Sequence, residues 1–279
     1  MLVLGIESSC DETAVALVGS DRVIRASHVA SQMATHARFG GVVPELAARD
    51  HVERLAPMIE AALDEAGVAL ADLDAIAATA GPGLIGGVMV GLVSAKALAW
   101  AAGKPLYAIN HLEGHALSPR LVEPALAFPY LLLLVSGGHC QLLRVDGPGR
   151  YARLATTIDD AAGEAFDKGA KLMGLGFPGG PAIERLAREG DPAAVHLPRP
   201  LVGSDEPHFS FAGLKSAVAR LVQGPNPPPT ADLAASLQAA IVDCLADRTL
   251  RALDAGASVT ALVAAGGVAA NGPVRTRLA

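Results

Sequence analysis

The stretch Leu2-Val3-Leu4-Gly5-Ile6-Glu7-Ser8-Ser9-Cys10-Asp11-Glu12-Thr13-Ala14-Val15-Ala16-Leu17-Val18 decides the fold. Residues 2–6 are apolar and read as a buried strand, residues 7–12 as a polar turn, and residues 13–18 as a second strand. The result is a hairpin with hydroxyls and carboxylates at its tip. Working outward, the same plan returns once. Residues 131–135 read as a strand, Ser136-Gly137-Gly138-His139 as a turn, and residues 140–145 as its partner. Helices and strands alternate after each hairpin. An α/β protein of two pseudo-equivalent lobes is expected, residues 1–125 and 126–279, with the hairpin tips facing each other across a cleft.

Between the hairpins, Gly40-Gly41 leads to Pro44, a good first helical residue. A helix is predicted from there to Gly67, with Val52, Leu55, Ile59 and Leu63 on its inner face. A strand follows at residues 75–79. The apolar run 84–103 is long enough for a membrane span, but it contains Lys96, Gly86, Gly87, Gly91 and Ser94. A buried helix packed on a sheet explains it better. In the second lobe, helices are predicted at 161–172, from Pro181, after Phe211, and from a Thr230 cap to near Gly256. A strand over 259–264 and a helix opened by Asn271-Gly272-Pro273 complete the pattern.

Composition sets limits on function. A chain of 279 residues, 51% hydrophobic, can bury a large core. Cys10, Cys140 and Cys244 are isolated, so reduced thiols and a cytoplasmic location are expected. The N-terminal residues lack a basic flank and reach Glu7 at once, which marks a strand rather than a signal peptide. A net charge of −6 argues against an autonomous nucleic-acid binder.

The chemistry centres on Asn110-His111-Leu112-Glu113-Gly114-His115, which follows the apolar run 105–109. Asn110 can cap a helix, with Glu113 three residues on as its capping-box partner. His111 and His115 then point the same way, about 40° apart around the helix. Two such imidazoles suit a borderline divalent metal, although the spacing also occurs on ordinary polar faces. The motif is not a metalloprotease H-E-x-x-H. Glu113 lies about 200° around the helix from His111 and cannot face a metal-bound water. The two hairpin tips, with Ser9 and Ser136-Gly137-Gly138, would present hydroxyls and amides suited to phosphate.

Taken together, these segments closely resemble the TsaD family of tRNA threonylcarbamoyladenosine transferases. The resemblance rests on residues 5–13, 40–47, 111–115, 134–139, 159–168 and 266–271, in family order along nearly the whole chain. It implies the fold of actin-like ATPases and sugar kinases, with two lobes around a nucleotide cleft. It also implies transfer of a threonylcarbamoyl group from threonylcarbamoyl-AMP to the exocyclic amine of the adenosine beside the anticodon, in tRNAs reading A-starting codons.

By that similarity His111 and His115 bind one divalent metal, iron(II) or zinc. Leu134, Val135, Ser136, Gly137 and Gly138 would hold the acyl-adenylate, and Asp167, Gly180 and Asn271 its ribose and adenine. Asp11 and Glu12 are candidates to receive the amine proton, with capping of the adjacent turn as the alternative role. Partner proteins of the TsaB and TsaE type are implied, sharing a composite tRNA surface that would reconcile the acidic charge. Arg144, Arg150, Arg153, Lys168, Lys171, Arg185 and Arg188 form either a local basic rim or solvated faces.

Two departures stand out. Cys140 occupies a position where threonine is usual. Family members also continue past the Asn271 segment to a Thr-Asp-Asn stretch whose aspartate is a third metal ligand, so the chain is expected to be a C-terminally shortened form. A kinase-like ATPase, or an inactive binding subunit, is the competing reading.

Overall fold

The computed structural model describes residues 1–255 and 258–279, in two compact units, Met1–Val122 and Glu123–Ala279. Gly256, near which the sequence ends its long second-lobe helix, lies outside the described residues.

In the first unit, β1 (Leu2–Glu7) pairs antiparallel with β2 (Glu12–Gly19), Glu7 opposite Ala14. A third strand, β3 (Ile24–Ser31), extends the hairpin, and β4 (Ala75–Gly81) and β5 (Leu106–Asn110) add in parallel on the other side. The sheet order is β3-β2-β1-β4-β5. Its helices are α1 (Met33–Ala37), α2 (Pro44–Ala66), α3 (Ile85–Ala102), α4 (His111–Leu117) and α5 (Pro119–Val122). Pro44 stands in the first turn of α2, and Gly67 closes it at φ 65°, a conformation glycine adopts without a Cβ penalty.

The second unit repeats the arrangement. Strands β6 (Tyr130–Val135) and β7 (Cys140–Gly147) form the hairpin and β8 (Arg150–Thr156) extends it. Helices α6 (Ala162–Leu172), α7 (Gly179–Ala187), α8 (Ala212–Val222) and α9 (Thr230–Asp254) follow. Strand β9 (Leu262–Ala265) then pairs in parallel with β6 before α10 (Gly272–Leu278). The order β8-β7-β6-β9 matches the first four strands of the other sheet: third, second, first, fourth. The two-lobe reading of the sequence is therefore correct at the level of strand pairing.

Each unit has its own core. Leu4, Ile6, Val15, Leu17, Leu55, Ile59 and Ile76 build the first; Leu131, Leu133, Phe166, Ile183, Phe211, Leu237 and Ile241 build the second. All six residues of β6 are buried, which explains its unbroken apolar run.

Several sequence expectations are corrected. The inner face of α2 is Ala47, His51, Leu55, Ile59 and Ala62, while Val52 is 64% exposed, one residue and about 100° off that stripe. Helix α3 is not buried all round. Gly87, Val88, Gly91, Ala95 and Ala99 face inward, and Ile85, Met89, Val93 and Trp100 are exposed. By length and composition α3 is the one membrane-span candidate among the described residues. Pro229 rather than Thr230 precedes α9, and β9 begins at Leu262 rather than at 259.

Candidate functional site

In the first unit the hairpin tip and the start of α4 come together. Strand β5 delivers Asn110, whose side-chain oxygen accepts from the Leu112 amide and so starts α4 with His111 as its first residue. The His111 and His115 rings meet edge to face, with centroids 4.7 Å apart. A metal bound by both is compatible with that separation, since metal–nitrogen bonds of about 2 Å set the two nitrogens some 3 Å apart.

Glu7, at the end of β1, organises the pair. Its Oε2 lies 3.0 Å from His111 Nδ1 and accepts from Thr79 Oγ1 at 2.5 Å, while Oε1 accepts from the Ser9 amide at 2.5 Å. Burial would raise this carboxyl, but the bonds from His111, Ser9 and Thr79 outweigh it and bring its pKa down to about 2. Ionised Glu7 only accepts, so His111 Nδ1 carries a proton, and the ring would ligate through Nε2. This is the carboxylate–histidine support usual behind histidine ligands. The donor chemistry fits a borderline divalent metal. Among the described residues no group of three or more His, Cys, Asp or Glu side chains is placed to hold one.

Asp11 and Glu12 follow on the same hairpin tip, Asp11 half-buried and Glu12 exposed. Burial, then the charges of Asp11 and Glu7, hold the Glu12 carboxyl above its usual value. Cys10, just before Asp11, is pushed up to about 12 by burial and by Asp11, so it stays a thiol.

In the second unit Leu134 and Val135 are buried in β6, and Ser136-Gly137-Gly138 turns out of the sheet with both glycines exposed. The turn is closed by the Ser136 amide donating to His139 O at 2.8 Å and the His139 amide donating to Ser136 Oγ at 3.1 Å. A Cβ on Gly137 or Gly138 would meet nothing within 4 Å, so the space over their backbone is open. The start of α6 presses on this turn, with the Gly163 amide donating to Ser136 O at 3.2 Å. One turn on, Asp167 Oδ1 accepts from the Gly179 amide at 2.7 Å and ties α6 to the start of α7, next to Gly180. Asn271 caps α10 through the Val274 amide and donates to Glu184 on α7 and Gln238 on α9. Asp167, Gly180 and Asn271 thus stand on one connected rim, where the amide of Asn271 bridges three helices. Cys140, beside the turn, is buried and raised well above the usual thiol range by that burial.

Residues 23–279 match the model of the TsaD family, described as tRNA N6-adenosine threonylcarbamoyltransferase. A protein of that name from Sphingopyxis alaskensis is 72% identical over 277 residues, spanning 99% of this chain and 80% of the relative. One from Erythrobacter litoralis is 70% identical over the same shares. The chain belongs to the TsaD family.

For the fold of this TsaD chain, two solved structures are informative. Component A of the (R)-2-hydroxyglutaryl-CoA dehydratase of Acidaminococcus fermentans aligns with TM-score 0.57 at 18% identity, covering 100% of this chain and 87% of its own. The activator of the 2-hydroxyisocaproyl-CoA dehydratase of Clostridium difficile, solved with bound ADPNP, gives 0.54 at 15% identity, covering 100% and 84%. Both share the actin-like ATPase fold, which is the fold of this chain.

In the sequence Glu7 reads as one polar turn residue, whereas it is the last residue of β1 and holds His111 from more than a hundred positions away. The signal was there in a carboxylate at the C-terminal end of a buried strand, where α/β folds gather their ligands. Three of the seven basic-rim residues are engaged by acidic neighbours. Lys168 bridges Asp160 and Glu164, Arg144 pairs with Asp146, and Arg188 reaches Glu184 at 3.7 Å.

Proposed function

We propose that this chain transfers a threonylcarbamoyl group from threonylcarbamoyl-AMP to the exocyclic amine of the adenosine beside the anticodon of tRNA. The carrying observation is the 72% identity, over 99% of the chain, to a tRNA N6-adenosine threonylcarbamoyltransferase. In the reaction the amine nitrogen forms a bond to the carbamoyl carbon, the carbon–oxygen bond to phosphate breaks, and AMP leaves. The Gly137 and Gly138 amides hold the phosphate and stabilise charge on departing AMP. Asp167, Gly180 and Asn271 frame the adenosine. Asp11 or Glu12 accepts the amine proton, the Glu12 carboxyl being held above its usual value by burial and by neighbouring charges.

His111 and His115 hold one divalent metal, iron(II) or zinc, with Glu7 fixing the His111 ring. When bound, it would neutralise phosphate charge and help orient the carbonyl. TsaB- and TsaE-type proteins supply the rest of a tRNA surface that a chain of net charge −6 lacks by itself. The reaction belongs in the cytoplasm, in keeping with three free thiols.

The test supplies synthetic threonylcarbamoyl-AMP, unmodified tRNA and the partner proteins, then weighs the nucleosides after digestion. Modified adenosine with stoichiometric AMP supports the reading. In a parallel reaction given ATP and small-molecule acceptors, transfer of the γ-phosphoryl group to an acceptor with release of ADP, tRNA staying unmodified, would replace it by a kinase-like activity.

A further inference from the structure

We infer that His51, on α2 and outside both clusters above, is the positioning residue for the Asp11 and Glu12 carboxylates. The inference rests on the transfer reaction proposed above. Three consecutive carbonyls of the hairpin tip are each held by a donor. Ser9 O accepts from the Leu84 amide at 2.7 Å, Cys10 O from His51 Nε2 at 3.0 Å, and Asp11 O from the Gln32 amide at 3.0 Å. His51 is the side-chain strut of the three, and it holds the peptide that leads into Asp11.

The proton positions around His51 follow by elimination. Cys10 O only accepts, so His51 Nε2 carries the proton and Nδ1 is the acceptor of the neutral ring. Nδ1 has two donors, Thr13 Oγ1 at 2.7 Å and Gln32 Nε2 at 3.3 Å. Gln32 cannot be flipped, because its Nε2 also donates to Ala47 O at 3.3 Å while its Oε1 accepts from His36 Nε2 at 3.1 Å. His36 Nδ1 in turn accepts from the Val43 amide at 3.3 Å. Donors and acceptors therefore run one way, from the start of α2 through His36, Gln32 and His51 to the tip. His51, His36, Gln32 and Thr13 are all buried, so water cannot substitute for a lost member.

Helix α3 closes the remaining side. A Cβ on Gly87 would overlap Ser8 O and sit 3.2 Å from the His51 ring. The ring is thus wedged between α3 and the network, and a buried histidine with no freedom to turn is aimed at one backbone carbonyl of the candidate base loop.

His51→Gln and His51→Asn test this in the full chain. Glutamine can place a donor where Nε2 stood; asparagine is too short to reach Cys10 O. H51N is expected to lower kcat about tenfold or more with KM for threonylcarbamoyl-AMP nearly unchanged, and H51Q to recover most of the loss. Independently of turnover, hydrogen exchange at the Leu84 and Gln32 amides should quicken in H51N while β4 and the core of α2 stay protected. Equal kcat for H51N and wild type, or unchanged exchange at both amides, overturns the inference. A wild-type chain that leaves tRNA unmodified would instead sink the transfer reading, and the exchange arm would still decide whether His51 holds the loop.

Discussion

Glu7 Oε2 lies 3.0 Å from His111 Nδ1, and the same carboxylate is fastened by Thr79 and by the Ser9 amide. A charged acceptor at Nδ1 makes Nε2 more basic, which is what a metal ligand requires. Glu7→Gln keeps the shape and removes the charge. Its zinc affinity should fall about tenfold or more, read by competition with a chromophoric chelator. Equal affinities in variant and wild type would show that the carboxylate does not act on the metal.

His111→Ala or His115→Ala should each abolish retention of iron or zinc through purification. The two rings stand 4.7 Å apart on one face of α4, so neither alone offers more than one nitrogen. Metal content by mass spectrometry is the check, with circular dichroism as the control that the fold is kept. Undiminished metal in both variants would place the site elsewhere.

Much of this was legible before any coordinates, for physical reasons that differ by element. The two hairpins announced themselves because a fully buried strand such as β6 must be apolar throughout, and because small polar residues mark the tips. His111 and His115 were legible because both lie on one short helix. Strands β3 and β8 were not, since edge strands with one wet face carry Arg25, His28, Arg150 and Arg153 between their apolar residues and so lack an unbroken apolar run. The outer face of α3 is exposed despite its apolar content, because that content says how much a helix can bury, not how much its neighbours cover. Glu7–His111 and the His51 network join residues dozens of positions apart, and pattern within a window cannot register such pairs.

Gly137→Val and Asp167→Ala probe the second unit. A Cβ at 137 meets nothing within 4 Å, so the fold should hold while the valine side chain fills the space through which phosphate approaches the backbone. Asp167→Ala frees the Gly179 amide and loosens the start of α7, at a cost of about 1 kcal/mol. Calorimetry should show weaker AMP binding for both. Unchanged affinity in folded protein would mean that the rim has been misread as the nucleotide site.

Stability should fall in acid through Asp247. Burial alone would raise its carboxyl, but the bond and charge of Arg248, with the Gly203 amide and Arg251, bring it below the usual value. A carboxyl depressed on folding stabilises above its unfolded pKa and loses that contribution as pH falls through the folded one. The window therefore opens near pH ~4 and runs downward. Urea midpoints across that range should drop more steeply for wild type than for Asp247→Asn, which should also be less stable at neutral pH because Arg248 is 3% exposed. Parallel slopes would show that the ion pair contributes nothing.

Gly163→Ala asks whether the phosphate turn depends on the helix behind it. A Cβ at 163 would lie 2.5 Å from Ser136 O and 2.8 Å from Gly137 Cα. Both neighbours are backbone, so no flexible side-chain tip can yield. Either α6 withdraws and loses the Gly163 amide bond to Ser136 O, or the turn itself shifts. Helix propensity alone would favour alanine by about 1 kcal/mol, which makes any loss of function a geometric effect rather than a helical one. Binding of AMP should weaken about tenfold, the scale of one displaced hydrogen-bonding group in a preformed site. Gly180→Ala is the control for backbone crowding, since a Cβ there meets nothing within 4 Å and stability should be kept. If Gly163→Ala binds AMP as wild type does, the turn is free of α6, and Ser136-Gly137-Gly138 is not held in place for phosphate by this contact.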